Sequence, residues 1–442
     1  MKVYLDTIGC RLNQAEIEQY ARQFRAAGHE LVSGPEQSDL AVVNTCAVTA
    51  AAASDSRQKI RQVARAGTRE VVVTGCWASL RPQDAAALPG VNRVVQNLEK
   101  DRLVTDLLQI PVEAFELEPV EREPIPGARL RTRAFIKVQD GCNNRCSFCV
   151  TTIARGPARS RALQDILADI RAALWRGPDG FSGTDSAADR GTESGAQEIV
   201  LTGVHLGSWG QDLGTPQRLS DLIRAILAET DVPRLRLSSL EPWDLNPGFF
   251  DLWQDPRLCR HLHLPLQSGS AATLRRMARK TTPQSFAELI DAARAAIPFV
   301  AITTDMITGF PGESDSEFYE SLEYVRAMRF ADGHVFTYSA RPGTAAARMP
   351  FQVKEAVRKE RNASMRAVLK ESAGRYQCGF IGQVLPVLWE SATGLGTQGW
   401  RLSGLTDNYL RVHAHAPRQL WNRITPVQLT EISGEEIYGN LI

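Results

Sequence analysis

Several things are scarce or missing in this chain of 442 residues, and each absence narrows what it can be. No apolar run approaches the roughly 20 residues that a bilayer-spanning helix needs. Met1 leads straight into an extended apolar segment, so no signal peptide is expected. Net charge is almost absent: 51 Lys and Arg stand against 50 Asp and Glu, and the resulting +1 says nothing about nucleic acid. Only local charge can speak to that. No unit repeats along the chain, so it is not built as an array. Eight cysteines are present, but their patterning is not that of a secreted disulfide scaffold. Apolar content of 43% and charged content of 23% are ordinary for a globular protein. The expectation is a cytoplasmic enzyme without membrane contact, long enough for about three domains.

Six of the cysteines form two groups. Cys142, Cys146 and Cys149 lie in Gly-Cys-Asn-Asn-Arg-Cys-Ser-Phe-Cys, with spacing C-x3-C-x2-C. Three thiolates in one tight loop can ligate three irons of a cubic 4Fe-4S cluster, which leaves the fourth iron to a small molecule. A zinc site usually closes with four ligands, and no fourth Cys or His follows at zinc spacing. Phe148 precedes the last Cys. This loop resembles the cluster loop of radical S-adenosylmethionine (SAM) enzymes. There the open iron chelates SAM, and one electron cleaves the sulfonium to give a 5′-deoxyadenosyl radical. The cofactors do the hard chemistry; the protein positions and shields them.

Cys10, Cys46 and Cys76 form the second group. Each ends an apolar run of strand length: Val-Tyr-Leu-Asp-Thr-Ile-Gly-Cys, Leu-Ala-Val-Val-Asn-Thr-Cys and Val-Val-Val-Thr-Gly-Cys. Helical stretches at 13–27 and 51–66 separate them. Alternating strands and helices imply a parallel sheet, whose strand ends share one edge, where ligands bind. Three cysteines there can converge on a second site, although any one of them could be a buried thiol. Cys259 and Cys378 read as plain packed or surface thiols.

The chain divides into three sections. The first covers 1–115 and adds a helix at 82–88, a strand at 93–96 and a helix at 99–108. Residues 111–127, with four prolines and several glutamates, read as a linker. The second section, 128–358, opens with a strand at 135–138 and a helix at 163–175. It is interrupted at 177–196 by a stretch rich in Gly, Ser, Asp and Thr that reads as a disordered surface insertion. Five further strands are expected at 198–201, 234–237, 261–264, 300–307 and 334–336, with helices at 219–229, 285–296 and 314–328 between them. This predicts a partial (β/α)6 barrel with its chemistry at the C-terminal strand ends. A basic helix at 353–375 leads to the third section, 372–442. Its short strands at 384–390, 400–402 and 409–413 with Gly-rich turns predict a small β-barrel. The fold class is therefore α/β.

The strand-end loops supply candidates for the cofactor. Gly309-Phe310-Pro311-Gly312-Glu313 is a strand-to-helix turn where backbone can approach a nucleoside, so Gly309, Gly312 and Glu313 are candidates. Ser238, Ser239 and Glu241 could bond ribose or the methionine moiety, and Gln267 could contact SAM or substrate. His205, His261 and His263 read as structural histidines. Basic residues bracket the cluster loop: Arg129, Arg131, Arg133, Lys137, Arg145, Arg155, Arg159 and Arg161, with Asp140 opposed. Arg275, Arg276, Arg279 and Lys280 add a second group. Around an active-site loop such charge suits a phosphate-rich substrate. In the last section Trp400, Arg401, Tyr409 and Arg411 mix stacking and phosphate-binding groups suited to RNA.

Taken together, the chain resembles a radical SAM methylthiotransferase: an amino-terminal cluster domain, a radical SAM core and a terminal TRAM barrel. The resemblance covers nearly everything except the insertion at 177–196. Several segments resemble those of the MtaB-type tRNA enzymes: Gly-Cys-Arg-Leu-Asn-Gln at 9–14, Asn-Thr-Cys-Ala-Val-Thr at 44–49, Leu-Thr-Gly-Val-His-Leu-Gly at 201–207, Ser-Ser-Leu-Glu-Pro at 238–242 and Leu-Thr-Asp-Asn-Tyr-Leu at 405–410. That resemblance implies methylthiolation at carbon 2 of N6-threonylcarbamoyladenosine beside the anticodon of tRNA (position 37). It also implies two 4Fe-4S clusters, with Cys10, Cys46 and Cys76 holding the auxiliary one that supplies sulfur. Two SAM molecules would serve, as methyl donor and radical source, with a low-potential electron donor such as flavodoxin. The same six cysteines would equally serve a methylthiotransferase acting on isopentenyladenosine in tRNA or on a ribosomal-protein aspartate. From another class, an RNA-binding iron–sulfur sensor without turnover is the competing reading.

Overall fold

The computed structural model describes residues 1–111, 125–126, 132–175 and 195–442. The expected linker and insertion, and with them Arg129 and Arg131, fall almost wholly outside the described residues.

The first section is a parallel sheet of β1 (Lys2–Thr7), β2 (Glu30–Leu31), β3 (Leu40–Thr45), β4 (Glu70–Gly75) and β5 (Val91–Val94), in the spatial order β2-β1-β3-β4-β5. The middle strands are apolar without alternation, as strands covered on both faces must be. Every residue of β3 is buried. Helices Arg11–Ala26 and Ala50–Arg65 cover the sheet through stripes such as Ile17, Tyr20 and Phe24, or Ile60 and Val63. Thr49 starts the second helix by accepting a hydrogen bond from the Ala52 amide.

The second section alternates strands with helices: β6 (Arg133–Lys137), the short antiparallel pair β7 (Gln139–Asp140) and β8 (Arg159–Ser160), then β9 (Glu198–Thr202), β10 (Leu235–Leu237), β11 (His261–His263), β12 (Ala301–Thr308) and β13 (Asp332–Thr337). Two parallel sheets, β10-β9-β6 and β11-β12-β13, meet through isolated bridges such as Ser239 to His263 and Leu235 to Leu258. The result is the open barrel of six parallel strands that the alternation predicts. Strand β6 shows how it is used. Ala134 and Ile136 join the main core, whereas Phe135 packs with Val200 of β9 and Ala15 of helix Arg11–Ala26. Successive side chains of a strand face opposite ways, so the first section's helix lies on the face that Arg133, Phe135 and Lys137 share.

Helix Glu355–Cys378 leads to a closed barrel of β14 (Val384–Gly394), β15 (Trp400–Thr406), β16 (Arg411–Ala416), β17 (Ile424–Ser433) and β18 (Glu436–Leu441). Strands β2, β7, β8, β17 and β18 escape the sequence reading. Pro426 argues against a strand in β17 because proline cannot donate to a ladder. In the barrel it stands opposite Pro386 of β14, so both missing donors fall on one rung.

The barrel is bolted to the beginnings of the core strands. Arg234 donates to the carbonyls of Leu405 (3.0 Å) and Pro386 (2.7 Å), and Arg236 to those of Asp407 (3.0 Å) and Thr406 (3.2 Å). Arg260 pairs with the Asp407 carboxylate at 2.6 and 3.0 Å. Tyr409, held at φ +68°, stacks on His261 with ring centroids 4.4 Å apart and planes 7° from parallel.

Candidate functional site: two cysteine triads

The radical loop leaves β7 through Gly141. Its φ is +69°, and a Cβ there would lie 1.8 Å from the Pro157 carbonyl oxygen, so only glycine fits. Past it, the Cys142 amide donates to Gly156 O, the Cys149 amide to Cys146 O, and the Asn144 amide to the Cys142 sulfur at 3.4 Å. Ser147 ties the loop down, its amide to Met277 O (3.0 Å) and its hydroxyl to Arg276 O (2.8 Å). Phe148 meets Phe310 edge-on at 6.5 Å, and Phe310 meets Tyr338 at 5.3 Å. The aromatic residue between the cysteines thus docks the loop against the Gly-Phe-Pro-Gly turn.

The other triad is assembled from three loops. Cys10, Cys46 and Cys76 lie just beyond β1, β3 and β4, at one edge of the first sheet. Gly9 has φ +109°, and a Cβ there would come within 2.5 Å of the Cys46 side chain. Gly75, at φ +95°, would collide with Thr45 O at 2.3 Å. These glycines let the cysteine loops press together. Burial pushes the Cys46 thiol up to about 11. Among the described residues no three His, Cys, Asp or Glu side chains already converge as metal ligands. The fit to iron–sulfur clusters therefore rests on donor chemistry. All six cysteines are free thiols, grouped three and three, and both groups lie beside a cation. Such donors suit thiolate-ligated iron.

The predicted cofactor residues fall at the C-terminal strand ends, in several different states. Ser238 is buried and its hydroxyl has no hydrogen-bond partner; Ser239 is exposed. Glu241 pairs with Arg279 at 2.8 Å, and Arg279 reaches the Cys146 sulfur at 3.9 Å while lying 4.4 Å over the Trp243 ring. Gln267, at φ +76°, follows β11 and bridges to Met306 of β12, its amide donating to Asp305 O. Gly309 and Gly312 have φ of +70° and +75°. Glu313 is already engaged: it accepts from the Gly309 amide at 3.0 Å and from Arg361 at 2.7 Å, and so shapes the turn.

The basic bracket needs correction. Arg155 is buried, not presented to RNA: its guanidinium bonds Glu16, Asp140, Asn13 and the Cys76 sulfur. Lys137 is buried against Asp140 and Asp101, Arg161 pairs with Asp169, and Arg133 with Glu390. Within 129–161 the sequence shows only Asp140 opposed; Asp169 lies eight residues beyond Arg161, and Glu16, Asp101 and Glu390 come from other segments. Arg145 and part of Arg159 reach solvent. In the second group, Arg276 is taken by Glu317 and Arg279 by Glu241, which leaves Arg275 and Lys280 outward. Tyr409 is likewise no free stacking platform. It lies on His261, and its hydroxyl accepts from Arg11 at 2.9 Å. Trp400 packs partly against the barrel core, Arg401 is exposed, and Arg411 pairs with Glu390 while half exposed.

His205 is the residue whose place sequence reasoning missed. Its Nε2 lies 2.6 Å from Asp244, and Asn144 of the cluster loop is within 3.4 Å of the ring. Burial opposes its charge, but Asp244 and the Cys142 sulfur outweigh that and raise it to about 9. The available signal was its position: the loop after β9 sits on the same edge as the cluster loop.

A six-stranded open barrel with a C-x3-C-x2-C loop at its strand ends defines a radical SAM enzyme, and residues 136–325 match the profile of the Radical SAM superfamily. Residues 2–96 match that of uncharacterized protein family UPF0004. Over nearly its full length the chain belongs to the MtaB-type methylthiotransferase family. It is 33% identical over 441 residues to the threonylcarbamoyladenosine tRNA methylthiotransferase MtaB of Bacillus subtilis (strain 168), covering 97% of this chain and 93% of that protein. It is 34% identical over 417 residues to the MtaB of Thermotoga maritima, covering 92% and 90%. A tRNA-2-methylthio-N(6)-dimethylallyladenosine synthase of Maricaulis maris is 30% identical over 459 residues, covering 100% and 97%. Among solved structures, the radical SAM methyltransferase TsrM of Kitasatospora setae shares the fold, with TM-score 0.58, 16% identity and coverage of 78% of this chain and 75% of that one. The protein is thus a transferase that uses SAM and iron–sulfur chemistry.

Proposed function

We propose that this enzyme adds a methylthio group to carbon 2 of N6-threonylcarbamoyladenosine at position 37 of tRNA. The observation that carries the reading is the joining of two cysteine triads, from separate sections, through residues buried between them. Sulfur insertion needs a radical source beside a sulfur source; a sensor without turnover needs neither the second triad nor the barrel's strand-end loops. Relatives named for threonylcarbamoyladenosine stand at 33 and 34% identity, against 30% for the dimethylallyladenosine synthase.

In this reading Cys142, Cys146 and Cys149 hold one 4Fe-4S cluster and Cys10, Cys46 and Cys76 a second. When bound, these groups supply the electron that cleaves SAM and the sulfur that is transferred. The chain's own residues do the rest. Phe148 and Phe310 fix the loop against the glycine turn, so that Gly309 and Gly312 offer backbone to the nucleoside of SAM. Ser238, with its unpartnered hydroxyl, and Ser239, Glu241 and Gln267 border the same edge. His205 is held by Asp244 beside the cluster loop, within 3.4 Å of Asn144. On the outside, Arg145, Arg159, Arg401 and Arg411 meet tRNA phosphates, with Trp400 beside them. The three modules are those of 1–115, 128–358 and 372–442, and a low-potential donor such as flavodoxin reduces the enzyme in the cytoplasm.

The test is mass spectrometry of tRNA nucleosides from a deletion strain with and without the wild-type gene. Restoration of 2-methylthio-N6-threonylcarbamoyladenosine is expected. Restoration of the methylthiolated isopentenyladenosine instead would move the substrate to the alternative, and an unchanged nucleoside profile would reject tRNA altogether.

A further inference from the structure

Arg155 is the last residue of the short helix Thr151–Arg155 that follows the radical loop. Its side chain is 2% exposed, yet it makes four charged or polar contacts. Nε donates to the Cys76 sulfur at 3.2 Å. Nη1 donates to Glu16 and to Asp140, each at 3.0 Å. Nη2 donates to Asn13 Oδ1 at 2.8 Å, and that oxygen is 3.7 Å from the Cys10 sulfur. Asn97 adds a second donor to Cys76, at 3.7 Å, and ties itself to Ala154 O, next to Arg155, at 2.8 Å. The surroundings are charged as well. Lys100 pairs with Glu16, Lys137 lies 3.2 Å from Asp140, and both lysines are buried. Glu16 and Lys100 come from the first section; Lys137, Asp140 and Arg155 come from the second.

Three buried cations, Arg155, Lys100 and Lys137, thus face two buried carboxylates, Glu16 and Asp140; Asp101 helps from the half-exposed rim. Counted with Asp101 the cage is balanced, three cations to three carboxylates, as buried charges must be paired to persist. The Cys76 sulfur is a further acceptor in this cage, taking the Arg155 Nε–H at 3.2 Å.

We infer that Arg155 is a positioning residue for the auxiliary triad: it holds the Cys76 sulfur, organises Cys10 through Asn13, and locks the first section to the helix behind the radical loop. One side chain then sets where the sulfur-donating site lies relative to the radical source. This rests on the reading that Cys10, Cys46 and Cys76 carry a cluster. It predicts more than packing, because hydrogen bonds and positive charge at a cluster sulfur favour its reduced form.

The experiment uses full-length protein in which Cys142, Cys146 and Cys149 are all Ala, so that any iron signal belongs to the auxiliary triad. If this parent holds no cluster, the two-cluster reading itself fails, independently of Arg155. With the cluster present, Arg155→Met, Arg155→Lys and Lys137→Met are compared by iron content and by redox titration followed with electron paramagnetic resonance. Lys137 shares the ion cage but touches no cysteine. Arg155→Met should lower the reduced-to-oxidised ratio at fixed potential about tenfold, or about 59 mV for one electron, or else release the auxiliary iron. Arg155→Lys, which keeps the charge without the fork, should shift it less, and Lys137→Met least. An Arg155→Met protein that keeps its iron and its potential overturns the inference. So does a Lys137→Met shift as large as that of Arg155→Met. If Arg155→Met does not fold, Arg155→Lys decides by the same readouts; its failure to fold would make Arg155 a general structural residue and also reject the role.

Discussion

The two triads present the same three thiols by opposite means. In the radical loop one continuous stretch carries all of them, and the shape is set by amides, one glycine and an aromatic hook. In the first section each thiol comes from a different loop, and a parallel sheet brings them together. The difference is one of dependence. The loop needs its own few residues and the turn beneath it, whereas the assembled triad needs three strands in register, two glycines and a buried arginine lent by the neighbouring section.

The largest test of that comparison removes each triad. Replacing Cys142, Cys146 and Cys149 by Ala should abolish 5′-deoxyadenosine formation. Replacing Cys10, Cys46 and Cys76 should leave that cleavage and remove methylthiolation, with each triple variant losing about half the iron, one cubane per triad. Chromatography of the SAM products and iron analysis read both.

Glycine substitutions sharpen it. Gly141→Ala places a Cβ 1.8 Å from backbone oxygen and should strike SAM cleavage while sparing auxiliary iron. Gly75→Ala, at 2.3 Å from Thr45 O, should do the reverse. Each strained position costs on the order of 1–3 kcal/mol, so losses of about fivefold to about a hundredfold are expected. Equal damage to both triads from either change would erase the distinction.

Acid probes the cage between the sections. Burial alone would raise Glu16, but Lys100, Arg155 and Lys137 prevail and hold it at about 2, against 4.5 when unperturbed. The stabilisation is therefore complete above pH 4.5 and is lost as pH falls toward 2, by a few kcal/mol in order of magnitude. Thermal unfolding of metal-free protein should show that slope, and Glu16→Gln should flatten it.

Smaller effects follow at the periphery. Phe148→Ala removes an edge-on aromatic contact of about 0.5–1.5 kcal/mol, so SAM affinity, measured by calorimetry, should fall by at most about tenfold. Arg401→Ala should weaken tRNA binding least and make its logarithmic salt slope shallower by about one or less, as one lost phosphate contact requires. Point changes are preferable to deleting the barrel, since its loss would strand Arg234 and Arg236 without their carbonyl partners.

The sequence pattern made the six thiols, the parallel first sheet and the alternating core legible, because strand-length apolar runs ending in cysteine survive without any tertiary knowledge. The fate of the arginines was not legible. Arg155 looks like part of a basic surface because Glu16, which neutralises it, arrives from the first section; Arg161 does because Asp169, eight residues on, is folded back to it by the helix Leu163–Leu174. Tyr409 resembled a stacking platform for the same reason: His261 and Arg11 are remote in sequence. Pro426 hid β17, since a missing donor reads as a break until its opposite number, Pro386, is seen.

The Tyr409 contact also bears on how the chain is made. The bond between the Arg11 guanidinium and the Tyr409 hydroxyl closes a loop of 398 residues. Contacts so remote in sequence form late, after the entropy of closing the loop has been met. During synthesis the first section leaves the ribosome long before the turn that carries Tyr409. Until that turn emerges, Arg11, the residue next to Cys10, has no phenol to bond, so the neighbourhood of that thiol gains this contact only after the terminal barrel has begun to be made.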